Sequence, residues 1–225
     1  MTDNQTANVL KSHFAFTIHM PAAKNLVSGG TFKPDNKAKE YKVSGLEQFS
    51  QRLGHIWSGI KKDDPYAEMV LIEIERRIKK ANSKIDHYET KAKQLLAASP
   101  PGVTIAPVES SNPTTIEFDT EKYYTIHSKL AATLIARFDY ILRQLNSCIG
   151  LNNYTKLYFL KDIDHLSRPI RGALIAPGLY INMNVRRSDI LENNKQGLLA
   201  VEKCGLVPLD ILNNTQHSEY GPISR

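Results

Sequence analysis

Long apolar runs are missing from this chain. No stretch reaches the roughly 18 consecutive apolar residues that a spanning helix needs. The first residues, MTDNQTANVLK, have no basic flank leading into an apolar core, so no secretory signal is expected and the cytoplasm is the expected location. Cysteine is scarce: Cys148 and Cys204 stand alone, without a CxxC, in a chain too large to need staples. Both are expected to be reduced packing residues. The histidines at 13, 19, 55, 87, 127, 165 and 217 form neither HExxH nor a pair four apart, so no metal site is expected. Gly29 and Gly30 precede no Lys-Ser or Lys-Thr, which excludes a Walker loop, and no GxSxG elbow occurs. The nearest approach to a catalytic cluster is KDID, where Asp162 and Asp164 could serve a metal-dependent nuclease, but such spacing ordinarily marks a solvated helix face. The expectation is a protein without a catalytic step and without a cofactor.

What is present is enough for a full core, with 225 residues of which 41% are hydrophobic. The net charge is +6, unevenly spread. Residues 1–62 hold nine basic and four acidic side chains, residues 63–97 seven of each, and residues 98–225 thirteen and twelve. An N-terminal basic region facing a polyanion follows, against the plainer reading of a mildly positive surface.

Residues 12–20, SHFAFTIHM, alternate as a strand does: Phe14, Phe16, Ile18 and Met20 on one parity, His13, Thr17 and His19 on the other, with Lys11 continuing the polar parity upstream. The next residues, 21–42, read as a loop broken by Gly29, Gly30 and Pro34 and carrying Lys33, Lys37 and Lys39. Ser44 and Glu47 form a capping-box pattern that starts a helix ending near Lys61 and Lys62. Asp64 and Pro65 then open a long helix with no breaker before Pro100. Its Leu71, Ile74, Ile78, Ala81, Ile85, Tyr88, Ala92 and Leu95 are spaced alternately three and four apart, the pattern of a coiled-coil seam. The partner is either this chain's own helix beginning near residue 121 or a second copy of the long helix, and homodimerisation is the preferred version. TTIEF reads as a short strand with an acidic parity, Glu117 and Asp119, followed by a core helix over about residues 120–147. Pro169 and Pro177 are expected to break any long element in residues 153–185, and residues 188–204 look helical despite Gly197.

Two sets of residues suit nucleic acid. RRIKKANSK places Arg76, Arg77, Lys79, Lys80 and Lys84 together without an acid, a phosphate track or simply the charged flank of a coiled coil. Lys11, His13, Thr17 and His19 suit a ribbon in a major groove, where donors and small groups are needed at alternate positions; an ordinary sheet edge needs only polar residues there. An antiparallel pairing of two copies about a dimer axis would present that face twice.

IWSGIKKDDPYA, LLAASPPGV, RRSDILENN and GLVPLDIL, with Arg187, Asp189, Ile190, Asn193, Gly205, Pro208 and Asp210, resemble the AcaB family of transcriptional regulators carried by conjugative plasmids and integrating conjugative elements. The resemblance runs from about residue 12 to 212. It implies a homodimeric, duplex-DNA-binding activator of transfer genes with a ribbon-helix-helix-like element. An ordinary module of that kind passes almost directly from strand to helix, whereas here about 22 residues intervene. The expected fold class is therefore α+β, mostly helical, with a ribbon and helix in residues 1–62, the long coiled-coil-type helix in 63–98 and a helical region in 99–225, packed as one unit. The alternative is a structural or assembly protein of the conjugation machinery that docks through its long helix.

Overall fold

The computed structural model describes residues 14–32, 41–118 and 125–222. It is mostly helical, with two small antiparallel sheets. In chain order the elements are β1 (Phe14–Ile18), α1 (Pro21–Ser28), β2 (Gly30–Phe32), β3 (Tyr41–Val43), α2 (Leu46–Lys61), α3 (Pro65–Ala97), β4 (Thr114–Phe118), α4 (Ile126–Ser147) and α5 (Lys156–Ile175). A 3-10 turn (Ala176–Leu179) then leads to α6 (Arg187–Leu191), α7 (Lys195–Cys204) and α8 (Leu209–Leu212).

The backbone of the molecule is α3, 33 residues and hence about 50 Å long. Its start is as expected: the Asp64 carboxylate accepts from the N–H of Tyr66 at 2.9 Å and of Ala67 at 3.4 Å, and Pro65 occupies a position with no N–H to satisfy. The seam residues Leu71, Ile74, Ile78, Ala81, Ile85, Tyr88 and Ala92 are all buried. What buries them is α2, α4 and α5 of the same chain. This corrects the expectation of an intermolecular pair. Three-and-four spacing says that a helix stripe is covered, and α4 answers with its own stripe of Leu134, Phe138, Ile141 and Leu145. From Leu71 to Ala92 the seam is filled within the chain, and Leu95 at its end is partly buried.

Three further expectations change for local reasons. Ser44 does not cap α2. Gly45 takes that position, a residue at which a Cβ would lie 2.4 Å from the Val27 carbonyl oxygen, and Ser44 Oγ instead accepts from Arg52 Nη1 at 3.2 Å. Part of the lysine-rich loop is structured: Ala23 and Leu26 bury α1, and β2 pairs with β3 from Gly30↔Val43 to Phe32↔Tyr41. Pro169 sits inside α5 without ending it. A helix-interior proline costs about 3 kcal/mol, whereas burying Leu166, Ile170 and Leu174 returns about 1.5–3 kcal/mol for each side chain, so burial wins.

The stretch from residue 188 divides into two helices. Asn193, at φ 52, ends the first, and the Asn194 side chain caps the second by accepting from Gly197 N at 2.9 Å. A Cβ on Gly197 would lie 2.1 Å from the Asp189 carbonyl oxygen, so glycine is what lets α7 close against α6. A second small core of Tyr66, Val185, Ala200, Val207 and Ile211 lies beside the first turns of α3. Arg187 ties it down, with Nε donating to the Ile211 carbonyl at 2.9 Å and Nη1 to Asp63. Both cysteines are free, Cys148 buried and Cys204 half-buried.

The C-terminal tail is clamped to α3 by two carboxylates. Glu68 accepts from Ser218 N at 2.6 Å, and Glu75 from Glu219 N at 2.8 Å and Tyr220 N at 3.0 Å. Burial opposes the charge on Glu75, but these bonds and the one from His127 outweigh it and hold the carboxyl below its usual range. A depressed folded-state pKa contributes stability above the unfolded value of about 4.3 and loses it as pH falls through the folded value. Limited proteolysis should therefore find the tail protected at neutral pH and cut progressively in acid. Equal protection down to acid unfolding would contradict this role for Glu75.

Candidate nucleic-acid interface

Arg76, Lys80 and Lys84 lie four residues apart on α3, so each is one turn, about 6 Å, from the next along one face. The packing of Ile78, Ala81 and Ile85 into the core turns that face outward. The Arg77–Gly172 and Lys91–Asp162 contacts show α5 running antiparallel beside it. His165 and Arg168 on α5 face the α3 cations across a groove of about 600 Å³ whose floor includes Pro169 and Gly172. A Cβ on Gly172 would meet nothing within 4 Å, so the floor stays open.

The cations are not equally available. Arg77 stitches the helices together, donating from Nη1 to the Gly172 carbonyl at 2.8 Å and from Nε to Glu73 at 2.6 Å. Arg76 forks onto the same carboxylate at 2.6 and 2.8 Å, yet its side chain is 64% exposed. The Arg76 bonds, helped by Arg77, hold Glu73 down to about 2. Arg168 pairs with Asp164 at 2.7 Å and is likewise open to water. Lys84 lies over the Tyr88 ring at 5.5 Å, and Lys80 makes no hydrogen bond or ion pair with any described residue. Five cationic side chains against the two carboxylates leave the groove with a net excess of three positive charges before His165 is counted. Such a strip suits a chain of phosphates.

Glu73 is the groove's main internal competitor. Glu73→Gln should free the Arg76 fork and tighten binding to any duplex several-fold, up to about tenfold near 0.1 M salt for one added phosphate contact. Fluorescence anisotropy with a labelled duplex measures this. Unchanged affinity would mean that Arg76 does not face DNA.

The two carboxylates of KDID do not converge. Asp162 is buried, accepting from Lys91 Nζ at 2.6 Å and the Tyr154 hydroxyl at 2.7 Å, with Lys91 also over the Tyr154 ring at 5.2 Å. Burial, with Asp162 beside it, pushes the Tyr88 hydroxyl up to about 12. Asp164 faces solvent with Arg168 and Arg171. The pair thus serves packing on one side and the groove on the other. Among the described residues no group of three or more potential metal ligands comes together.

Residues 7–225 match the family described as Transcriptional regulator AcaB. The chain belongs to the AcaB family. No functionally curated protein matches it. The fold is similar to the crystal structure of selenomethionine-containing AcaB from uropathogenic E. coli, with a TM-score of 0.55 at 12% identity, over 92% of this chain and 98% of that one. Among the described residues no helix is long and apolar enough to cross a membrane.

In this AcaB-family chain β1, the strand expected as a ribbon between two copies, has one edge paired within its own chain. β1 pairs with β4 of the same chain, Thr17 opposite Thr115 and Ala15 opposite Glu117, with the two threonine hydroxyls 3.2 Å apart. Thr17 is exposed, but its face also carries Glu117, which would oppose phosphates. His19 lies beyond the strand end. Its Nδ1 accepts from Ser110 N at 3.3 Å and its backbone N–H donates to Asp139 at 3.0 Å, so it anchors the strand to the loop and to α4. Lys11, His13, Lys33, Lys37 and Lys39 lie outside the described residues. Arg76, Arg77, Lys80 and Lys84 do come together in the groove, while Lys79 is exposed but does not line it. His165 and Arg168, the opposite wall, were not anticipated, because Pro169 argued against a helix there.

Proposed function

We propose that this AcaB-family regulator binds duplex DNA through the groove between α3 and α5, with Arg76, Lys80, Lys84, His165 and Arg168 on the phosphates. The observation that supports this is the convergence of cations from two helices on one open, acid-poor face. Phosphate contacts of this kind position a protein on DNA and carry most of the affinity, while sequence is read elsewhere. In this reading the protein acts in the cytoplasm as a homodimer, joined outside the filled α3 seam, and activates genes of conjugative transfer. Inverted half-sites in the target DNA follow from a two-fold dimer.

Hydroxyl-radical footprinting and in vitro transcription on DNA upstream of conjugative-transfer genes test the reading. Protection of paired half-sites, and more transcript with wild type than with a groove-neutralised variant, are expected. A protein that protects no DNA and leaves transcript yield unchanged would favour an assembly role.

A further inference from the structure

A second cavity, of about 620 Å³, lies at the joint between α2 and α3. One wall is a stripe of α2, His55, Ser58 and Gly59, continued by Lys62 at its C-cap, at spacings of three, four and seven from the first. The other is the irregular segment before α6, where Asn182, Asn184, Val185 and Arg186 line the cavity, Asn184 at φ 50 in a turn closed on the Asn182 side chain, while Met183 and Arg187 turn to the second core. The floor is rigid. Gly59 has no room for a side chain, since a Cβ would lie 2.5 Å from the Tyr180 hydroxyl, and that hydroxyl donates to Asp64 at 2.8 Å.

The polar groups divide sharply by occupation. Asp64 is fully engaged, one oxygen taking the N–H groups of Tyr66 and Ala67 and the other the Tyr180 hydroxyl. Asp189 accepts from Arg186 N at 2.7 Å and Asn194 Nδ2 at 2.6 Å. His55 and Lys62 form no hydrogen bond or ion pair with any described residue, and Arg186 extends into solvent from the facing wall. The lining thus holds two cations against two carboxylates, and the groups it leaves unengaged are the cations Lys62 and Arg186, the His55 imidazole, the hydroxyls of Ser58 and Ser188, and asparagine amides. An anion fits between the two unengaged cations, where the carboxylates are already held by donors of the protein. The volume falls in the range of small-molecule sites and would leave a bare phosphate largely surrounded by water, so the occupant carries a polar body beyond its phosphate.

We infer that this cavity binds a small phosphate ester about the size of a mononucleotide, its phosphate held between Lys62 and Arg186 and its polar body against Ser58, Asn182 and Asn184. The site stands apart from the α3–α5 groove, and its occupancy would brace the α2–α3 joint against the C-terminal core. The site does not depend on the groove binding DNA.

Thermal melting and titration calorimetry with orthophosphate and the four ribonucleoside monophosphates at matched ionic strength test the inference. At least one nucleotide should raise the melting temperature more than orthophosphate does. Lys62→Gln with Arg186→Gln should weaken that nucleotide on the order of tenfold or more, without changing the unliganded melting temperature. Ser58→Gln, which fills the cavity and leaves both cations in place, should abolish the shift, and covers the case in which the double variant folds poorly. No shift with any nucleotide, or a shift that survives both variants, overturns the site. So does a double variant that loses duplex affinity while wild type binds no nucleotide, because the phosphate met here would then belong to the DNA backbone.

Discussion

Replacing Arg76, Lys80, Lys84 and Arg168 together by alanine is expected to weaken duplex binding on the order of 10²- to 10³-fold near 0.1 M salt. Each phosphate contact contributes up to about tenfold at that concentration, and two of the four cations already share a carboxylate with the protein, which lowers their individual worth. Arg77 is left in place because it bonds α3 to α5 and its loss would disturb packing. The four chosen side chains are solvent-exposed, and Lys80 is tied to no described residue, so melting should change little. The loss should be alike for cognate and random duplexes, because phosphates carry no sequence information directly. Anisotropy titrations decide the matter. An unchanged affinity would return these residues to the role of a solvated helix flank.

Ile78→Asp should unfold the protein, or come close to it. Ile78 is 3% exposed at the centre of α3, packed in the core that α4 and α5 close over. The substitution removes a buried side chain worth about 1.5–3 kcal/mol and places a carboxyl where nothing pairs with it. Together these come to roughly 4 kcal/mol or more, against a total stability of about 5–15 kcal/mol for ordinary domains. Denaturant melts read the loss directly. Had the seam been intermolecular, the same variant would be a well-folded monomer that had lost its partner. Sedimentation of a stable, monomeric Ile78→Asp protein would therefore overturn the packing of α3 described here.

The long helix was legible because its signals are local. Asp64 and Pro65 set its start, and nothing before Pro100 interrupts the spacing. Legible too was the run from Arg76 to Lys84, since the apolar residues between the cations fix which way they turn. What covers the seam was not legible, because spacing specifies that a stripe is buried and not whose helix buries it. The far wall of the groove was hidden by Pro169: a local rule against helix lost to the burial of Leu166, Ile170 and Leu174 on either side. The pairing of Thr17 with Thr115 spans 98 residues and leaves no mark on the strand itself. The lining of the second cavity went unread for a similar reason. Its wall at Asn182, Asn184 and Arg186 belongs to no regular element, and its course is set by a turn at Asn184 and by the burial of Arg187 against Asp63 and Ile211, neither of which a local pattern announces.

Binding through the groove is tested most directly by the salt dependence of duplex affinity, measured in parallel for wild type and the four-fold alanine variant. For wild type, log K should fall linearly with log salt, with a slope of about −0.9 for each phosphate neutralised. Removing four groove cations should flatten that slope by about 2 to 4 units, the lower figure applying where the Glu73 and Asp164 pairs hold Arg76 and Arg168 back. A variant whose slope matches that of wild type would show that the phosphates are met elsewhere on the molecule.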